Sequence, residues 1–225
     1  MSVMQVIAAL GSGPTVGFPV YLSNTATDLG GADATSHLVQ MPAAVTTGDL
    51  LLALIALDGT ATITTPSGWT SLPQGSDAAV RGAVFYKVAA GTEGGTTVDF
   101  VSSSAERMEA QVVRIQVGTF QSVPESAFTM FAVATVNPDS PNLTPSWGSA
   151  NTLWLSAGML DNTRTVSSYP LPNNNFTTAN AGSGIAFTTL ISCSNNVAAA
   201  SLDPAAWTIN TASRAVMFTI AIRPV

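Results

Sequence analysis

The segment 49–57 reads DLLLALIAL, and its length constrains the fold more than any other feature of the chain. Its Leu/Ala content would tolerate a helix. However, eight apolar residues bracketed by Thr47-Gly48-Asp49 and by Asp58-Gly59 are too few for a typical buried helix and fit a strand covered on both faces. Further stretches with strand character lie at 36–40, 60–65, 82–89, 96–101 and 107–117, each closed by Gly, Pro, Asn or Ser. Thr and Ser runs such as 62–65 and 102–104 suit a pleated, half-exposed surface. The expected fold is all-β, a sandwich of two facing antiparallel sheets.

The second half repeats this layout. Leu50-Leu51-Leu52 matches Leu153-Trp154-Leu155, and Leu57-Asp58-Gly59 matches Leu160-Asp161-Asn162 at a constant offset. The same comparison aligns 82–85 with 184–187 and 107–115 with 214–222. A period of roughly a hundred residues points to duplication or a pseudo-twofold sandwich. Each half has too few strands to bury much apolar surface alone, so one domain over 34–225 is expected, preceded by an N-terminal arm or strand over 1–33. Between the halves, Pro124, Pro138, Pro141 and Pro145 mark a crossover with one strand at 128–136, kept at an edge by proline. A second loop, 169–184, carries Pro170, Pro172 and Asn173-Asn174-Asn175 and is expected to be long, exposed and mobile.

Charged residues are 9% of the chain against roughly 25% in ordinary soluble domains, so the surface must be largely neutral. Such a surface docks against neighbours with few charges to desolvate. A net charge of −6 with seven Lys plus Arg supplies no basic stripe, which argues against nucleic-acid binding and against an anionic membrane. No apolar run approaches a membrane span, and residues 1–13 lack the basic start of a secretory signal.

Catalytic constellations are sparse. The single histidine, His37, has no G-x-S-x-G motif beside it and reads as an ordinary strand residue. One His and one Cys cannot build a zinc site, and Cys193 in its apolar stretch reads as a buried, inert thiol. Asp28 and Asp33 could donate oxygens to calcium, but without a ligand repeat they read as turn residues. Glu106 and Glu109, flanking Arg107, read as solvated edge charges. No enzyme activity and no cofactor are expected. Trp69 and Tyr169, at corresponding ends of the halves, either stack on a glycan or plug the core, and burial is preferred for Trp69. Trp154 and Trp207 are expected in the core.

The strings Gly48-Asp49-Leu50-Leu51-Leu52, Thr65-Pro66-Ser67-Gly68-Trp69-Thr70, Phe85-Tyr86-Lys87-Val88-Ala89 and Gly91-Thr92-Glu93, with the ending Ile220-Ala221-Ile222-Arg223-Pro224, resemble a pattern in jelly-roll-like virion structural proteins of tailed bacteriophages. The resemblance covers about Ala34 to the C-terminus. It implies a jelly-roll-like sandwich located in the virion, as capsid decoration or as part of a tail, fibre or head appendage, and it brings no catalytic residues. The partners so implied are the major capsid protein or tail proteins, with further copies of the chain in a homo-oligomer. Because fibrous repeats and coiled coil are missing, a decoration (cement) protein is the expectation. The alternative is a tail or fibre receptor-binding module for host glycans. The apolar residues Val3, Met4, Val6 and Ile7 of the arm are the expected partner contacts.

Overall fold

The computed structural model describes residues 16–121, 123–179 and 187–225, and every regular element in them is a β-strand. The first half contributes β1 (Tyr21–Ala34), β2 (Leu38–Gln40), β3 (Leu50–Asp58), β4 (Thr70–Ser71), β5 (Gly75–Ser76), β6 (Val80–Val88), β7 (Thr97–Asp99) and β8 (Glu106–Ile115). The second contributes β9 (Glu125–Thr135), β10 (Ala150–Asp161), β11 (Val166–Ser168), β12 (Asn173–Ala179), β13 (Thr188–Ala199), β14 (Thr208–Ile209) and β15 (Ser213–Ile222). Sheet I runs β1-β8-β3-β6-β4, with β5 also on β6, and sheet II runs β9-β15-β10-β13-β12, all antiparallel. The two five-strand orders match, β1 with β9, β8 with β15, β3 with β10, β6 with β13 and β4 with β12, so the two main sheets are duplicated.

Strand β3 explains the layering. Its side chains alternate between two cores: Leu50, Leu52, Leu54 and Ala56 meet Leu153, Leu155, Ala157 and Met159 of β10, while Leu51, Ala53, Ile55 and Leu57 face the other way. That second face is covered by the two-stranded β2–β7 sheet through Val39 and Val98. In the second half, Trp154 and Leu160 are covered in the same way by β11–β14 through Val166 and Ile209. Four layers therefore stack, and β3 has no solvent face, which is why it reads as an unbroken apolar run. At the middle of the stack the sheets approach so closely that a Cβ on Gly82 would lie 2.8 Å from Val216 and Phe218.

The duplication extends to single hydrogen bonds. Gly59 N donates to Ala79 O at 2.8 Å and Asn162 N to Phe187 O at 2.7 Å, both donors sitting at positive φ. Asn is the side chain that best tolerates this left-handed conformation in place of glycine. Thr62 N donates to Ser103 Oγ and Thr165 N to Asn210 Oδ1, each at 3.0 Å. Phe100 N donates to His37 O and Trp207 N to Pro138 O at matching places. These pairs correct part of the sequence alignment: Phe187 is the counterpart of Ala79, not of Phe85, whereas Arg107 to Ile115 does correspond to Arg214 to Ile222, since Leu50 pairs with Ile115 and Leu153 with Ile222.

Other expectations are also corrected. Residues 60–65 form no strand; only Ile63 bridges to Ser102. Within 169–184, residues 173–179 are the edge strand β12, its Asn run tolerated by a register shift between Asn173 and Phe176. Of the two readings for 1–33, the strand applies from Tyr21 onward: these residues belong to β1, the edge strand of sheet I, whose register shifts between Leu29 and Ala34, the latter opposite Glu106. The crossover strand β9 lies at an edge, as its flanking prolines require.

Candidate docking surface

Asp49 organises one end of the sandwich. Its fully buried carboxylate accepts hydrogen bonds from Thr46 N at 2.7 Å, Val117 N at 3.0 Å and Arg114 Nε at 2.6 Å, and Arg114 also donates to Thr46 Oγ1. Burial alone would raise its pKa, but the two backbone N–H groups and the guanidinium outweigh that and hold it below the usual carboxylate value. The turn preceding β3 is thereby locked to the loop following β8. At this same end Gln116 N donates to Val20 O, Gln121 N donates to Arg223 O, and Asn151 Nδ2 donates to Val16 O. Glu125 accepts from the backbone N and hydroxyl of Ser146.

Four stretches of chain thus converge, and they bring exposed aliphatic side chains with them. Val16, Val20, Leu22, Val117, Val123 and Val225 are all exposed, Val123 and Val225 by more than half. Two of them, Val16 and Val225, line an open depression of about 440 Å³ together with Gln121, Asn151 and Arg223. Much of the local charge is paired: Arg114 with Asp49, and Lys87 with Glu93 at 2.8 Å. Scattered single aliphatics are ordinary on a surface, whereas a grouped set is a feature of contact sites.

The opposite end is charged. Asp58 closes β3 and Asp161 closes β10, near Glu106, the Arg107–Asp33 pair at 3.2 Å and the Arg214–Asp77 pair at 3.3 Å. The Arg107 guanidinium also lies 4.4 Å from the centre of the Phe187 ring. Desolvation, then the negative charges of Glu106 and Asp161, push Asp58 up to about 6. The folded state holds that proton more tightly than the unfolded chain, so ionising Asp58 costs stability as pH rises from the ordinary 3.8 through about 6. Glu93 has the opposite sign. Burial raises it, but the Lys87 and backbone hydrogen bonds outweigh burial and hold it at about 2, so its contribution is present above the ordinary 4.5 and lost as pH falls toward 2. Relative to Asp58→Asn, the wild type should therefore gain in melting temperature as pH is lowered from neutrality to about 5, and loss of the Glu93 contribution should lower the melting temperature below about 4. A wild-type minus Asp58→Asn difference that does not change between neutrality and about 5 would contradict the assignment.

The residues singled out from sequence fall as follows. Val3, Met4, Val6 and Ile7 lie outside the described residues. Trp69 is only 7% exposed and packs edge-on against Phe100, so its faces belong to the outer core of the first half and no glycan can stack there. Tyr169 is half-buried edge-on against Trp207, the second-half counterpart of that pair, and its hydroxyl is bonded to Thr177 Oγ1 at 2.8 Å. Trp154 and Trp207 are fully buried, the latter donating from Nε1 to Ser156 Oγ. Cys193 is buried, and desolvation pushes its thiol up to about 12. Asp33 is held by Arg107.

Three expectations change. Asp28 is not in a turn but within β1, opposite Glu109. Glu109 is not a solvated edge charge; it is fully buried in the seam between the halves and accepts from Thr178 Oγ1, beside the Ser192–Gln111 hydrogen bond at 2.7 Å. His37 precedes β2 rather than lying in a strand, and its buried ring meets Ser102 Oγ at 2.9 Å. A serine, a histidine and Asp99 are thus neighbours, but Asp99 accepts from the backbone N of His37 and not from its ring. Ser102 is itself buried and donates to the backbone, so this serine offers no accessible nucleophile. The exposed aliphatics of the first end carry no signal in the sequence. Most stand at a strand start or in a loop, where no hydrophobic period marks them.

The described chain is thus a duplicated antiparallel β-sandwich with an apolar and a charged end. No family model matches it, and neither a search of curated proteins nor one of solved structures finds a match.

Proposed function

We propose that the protein is a non-catalytic structural component of a bacteriophage particle, a decoration or cement protein that seats its valine-lined end on the capsid. The observation that carries this reading is that exposed Val16 and Val225 line one depression, with exposed Val20, Val117 and Val123 on the neighbouring segments that backbone hydrogen bonds hold at the same end. Apart from Arg223, which lines the depression, the charged groups of this end are paired or hydrogen-bonded, so burying it against a lattice desolvates few charges. The apolar arm residues Val3, Met4, Val6 and Ile7 precede that end in the sequence and extend the contact. Repetition over a lattice converts a weak single contact into stable occupancy. The sequence resemblance to virion structural proteins supplies the particle.

The test is rebinding to particles stripped of the protein. The double variant Val123→Asp, Val225→Asp should rebind roughly thirtyfold or more weakly with unchanged circular dichroism, since central contacts of an interface are worth about 2 kcal/mol or more. Deleting residues 1–10 should weaken occupancy further. Undiminished rebinding by the double variant would refute the docking end. Wild-type protein located only at the tail tip would replace decoration by a receptor-binding role.

A further inference from the structure

A groove of about 670 Å³ runs along the flank of the sandwich between the segment that leads into β1 and the edge of sheet II. One wall is Gly17, Phe18, Pro19, Val20 and Tyr21; the other is Asn173 and Asn174 of β12 with Ser194 and Asn196 of β13, and Leu153 also lines it. Its volume lies within the roughly 300–1,000 Å³ usual for small-molecule sites. We propose that this groove binds a neutral saccharide, with the Asn amides taking its hydroxyls and the Phe18–Tyr21 wall taking the apolar face of a ring. The groove adjoins the docking end and shares Val20 with it, but the proposal rests on the Asn residues and on Phe18 and Tyr21, which the docking role does not use.

The lining chemistry selects this class. It contains no carboxylate, ammonium or guanidinium; its one ionisable group, the Tyr21 phenol, is neutral at its ordinary pKa of 10.0, and burial raises that further to about 12. A charged ligand would find no counter-charge there, whereas a saccharide needs paired donors and acceptors beside an apolar surface. A side-chain amide offers both, with two N–H donors and one carbonyl acceptor. Asn174 donates from Nδ2 to Ser194 Oγ at 2.7 Å, and Asn173 donates from Nδ2 to Asn195 Oδ1 at 3.2 Å. Each of these bonds uses one amide hydrogen and fixes the side chain while the residue stays exposed. Asn196 is exposed beside them.

The backbone has been shaped at the same point. Asn174 sits at φ 51 inside a strand, where the register slips between Asn173 and Phe176. A left-handed residue within a strand is uncommon, and such departures cluster at ligand sites. The Asn173-Asn174-Asn175 run, which the docking role does not use, thereby acquires a purpose. A plain edge strand would have no need of it.

The experiment is calorimetric titration of the full chain with maltohexaose, cellohexaose, chitohexaose and mannohexaose, with oligogalacturonate as the anionic counterpart. At least one neutral hexamer should bind with a Kd of about 1 mM or tighter. Asn174→Gly combined with Asn196→Ala should weaken it roughly tenfold or more, the loss expected for missing hydrogen bonds to a ligand. Glycine keeps the positive φ available, so this variant keeps the wild-type fold, checked by circular dichroism. Asn151→Ala, in the depression at the docking end, should leave saccharide affinity unchanged. Failure of all neutral hexamers to bind, preference for the anionic oligomer, or binding indifferent to the double variant would each overturn the proposal. None of these outcomes touches rebinding to stripped particles.

Discussion

A fragment ending at Gln121 should fail to persist as a folded monomer, and the intact protein should unfold in one calorimetric transition. Each half has an outer core of its own, built in the first half on Ile55, Phe85 and Phe100 and in the second on Trp154, Met217 and Trp207. That arrangement could suggest two independent units. The inner face argues against it. Separation would bare Leu50, Leu52, Leu54, Val84, Val113 and Ile115 on sheet I, all fully buried in the whole molecule. Burying each such side chain is worth about 1.5–3 kcal/mol, so exposing them together forfeits free energy comparable to the 5–15 kcal/mol stability of a whole domain. The seam hydrogen bonds from Ser192 to Gln111 and from Thr178 to Glu109 would be lost as well. The fragment should therefore self-associate or aggregate. A monomeric fragment with a cooperative melt, or two separated transitions in the intact chain, would show that the halves are independent.

The reach of the sequence follows from what each signal depends on. Strand β3 was legible because burial on both faces leaves an apolar run that no helix of that length explains, and β10 through the match of Leu153-Trp154-Leu155 to Leu50-Leu51-Leu52. The repeat was legible where turn chemistry recurs, as in Asp58-Gly59 and Asp161-Asn162, both requiring positive φ at the second residue. It was misread at Phe187, because composition alone could not place the start of β13 and a four-residue similarity to 82–85 took its place. Strand β12 was hidden by Asn and Pro, which signal turns; an edge strand with a register slip tolerates them since one side of its ladder is free. The burial of Glu109 depends on Thr178, 69 residues away, and no local pattern carries that information. The docking aliphatics and the groove share this property. Each gathers residues from several distant stretches, so only the folded chain brings them together.

Asp49→Ala should destabilise the protein by about 3–5 kcal/mol, the range for removing one partner of a buried ion pair. The magnitude follows from what is stranded. Arg114 loses its carboxylate at 2.6 Å, and the backbone N–H groups of Thr46 and Val117 lose their acceptor. Most of the cost is then the desolvation of groups left unpaired rather than the net worth of the pair, so Asp49→Ala with Arg114→Leu should lose less than the sum of the two single variants. At this chain length the single variant should melt about 10 °C lower. The pH dependence supplies an independent check. Because the carboxyl is held below its ordinary value, its contribution is full above that value and fades as pH falls through the folded-state pKa, so the gap between wild type and Asp49→Ala should narrow in acid. The same variant connects the fold to the docking end. Asp49 ties the loop carrying Val117 to the start of β3, and Val117 is one of the exposed aliphatics there. At a temperature where the variant remains folded, it should rebind stripped particles more weakly than wild type although Asp49 is itself fully buried. A loss of stability below about 1 kcal/mol would show that Thr46, Arg114 and Val117 find other partners and that this end is not organised by Asp49.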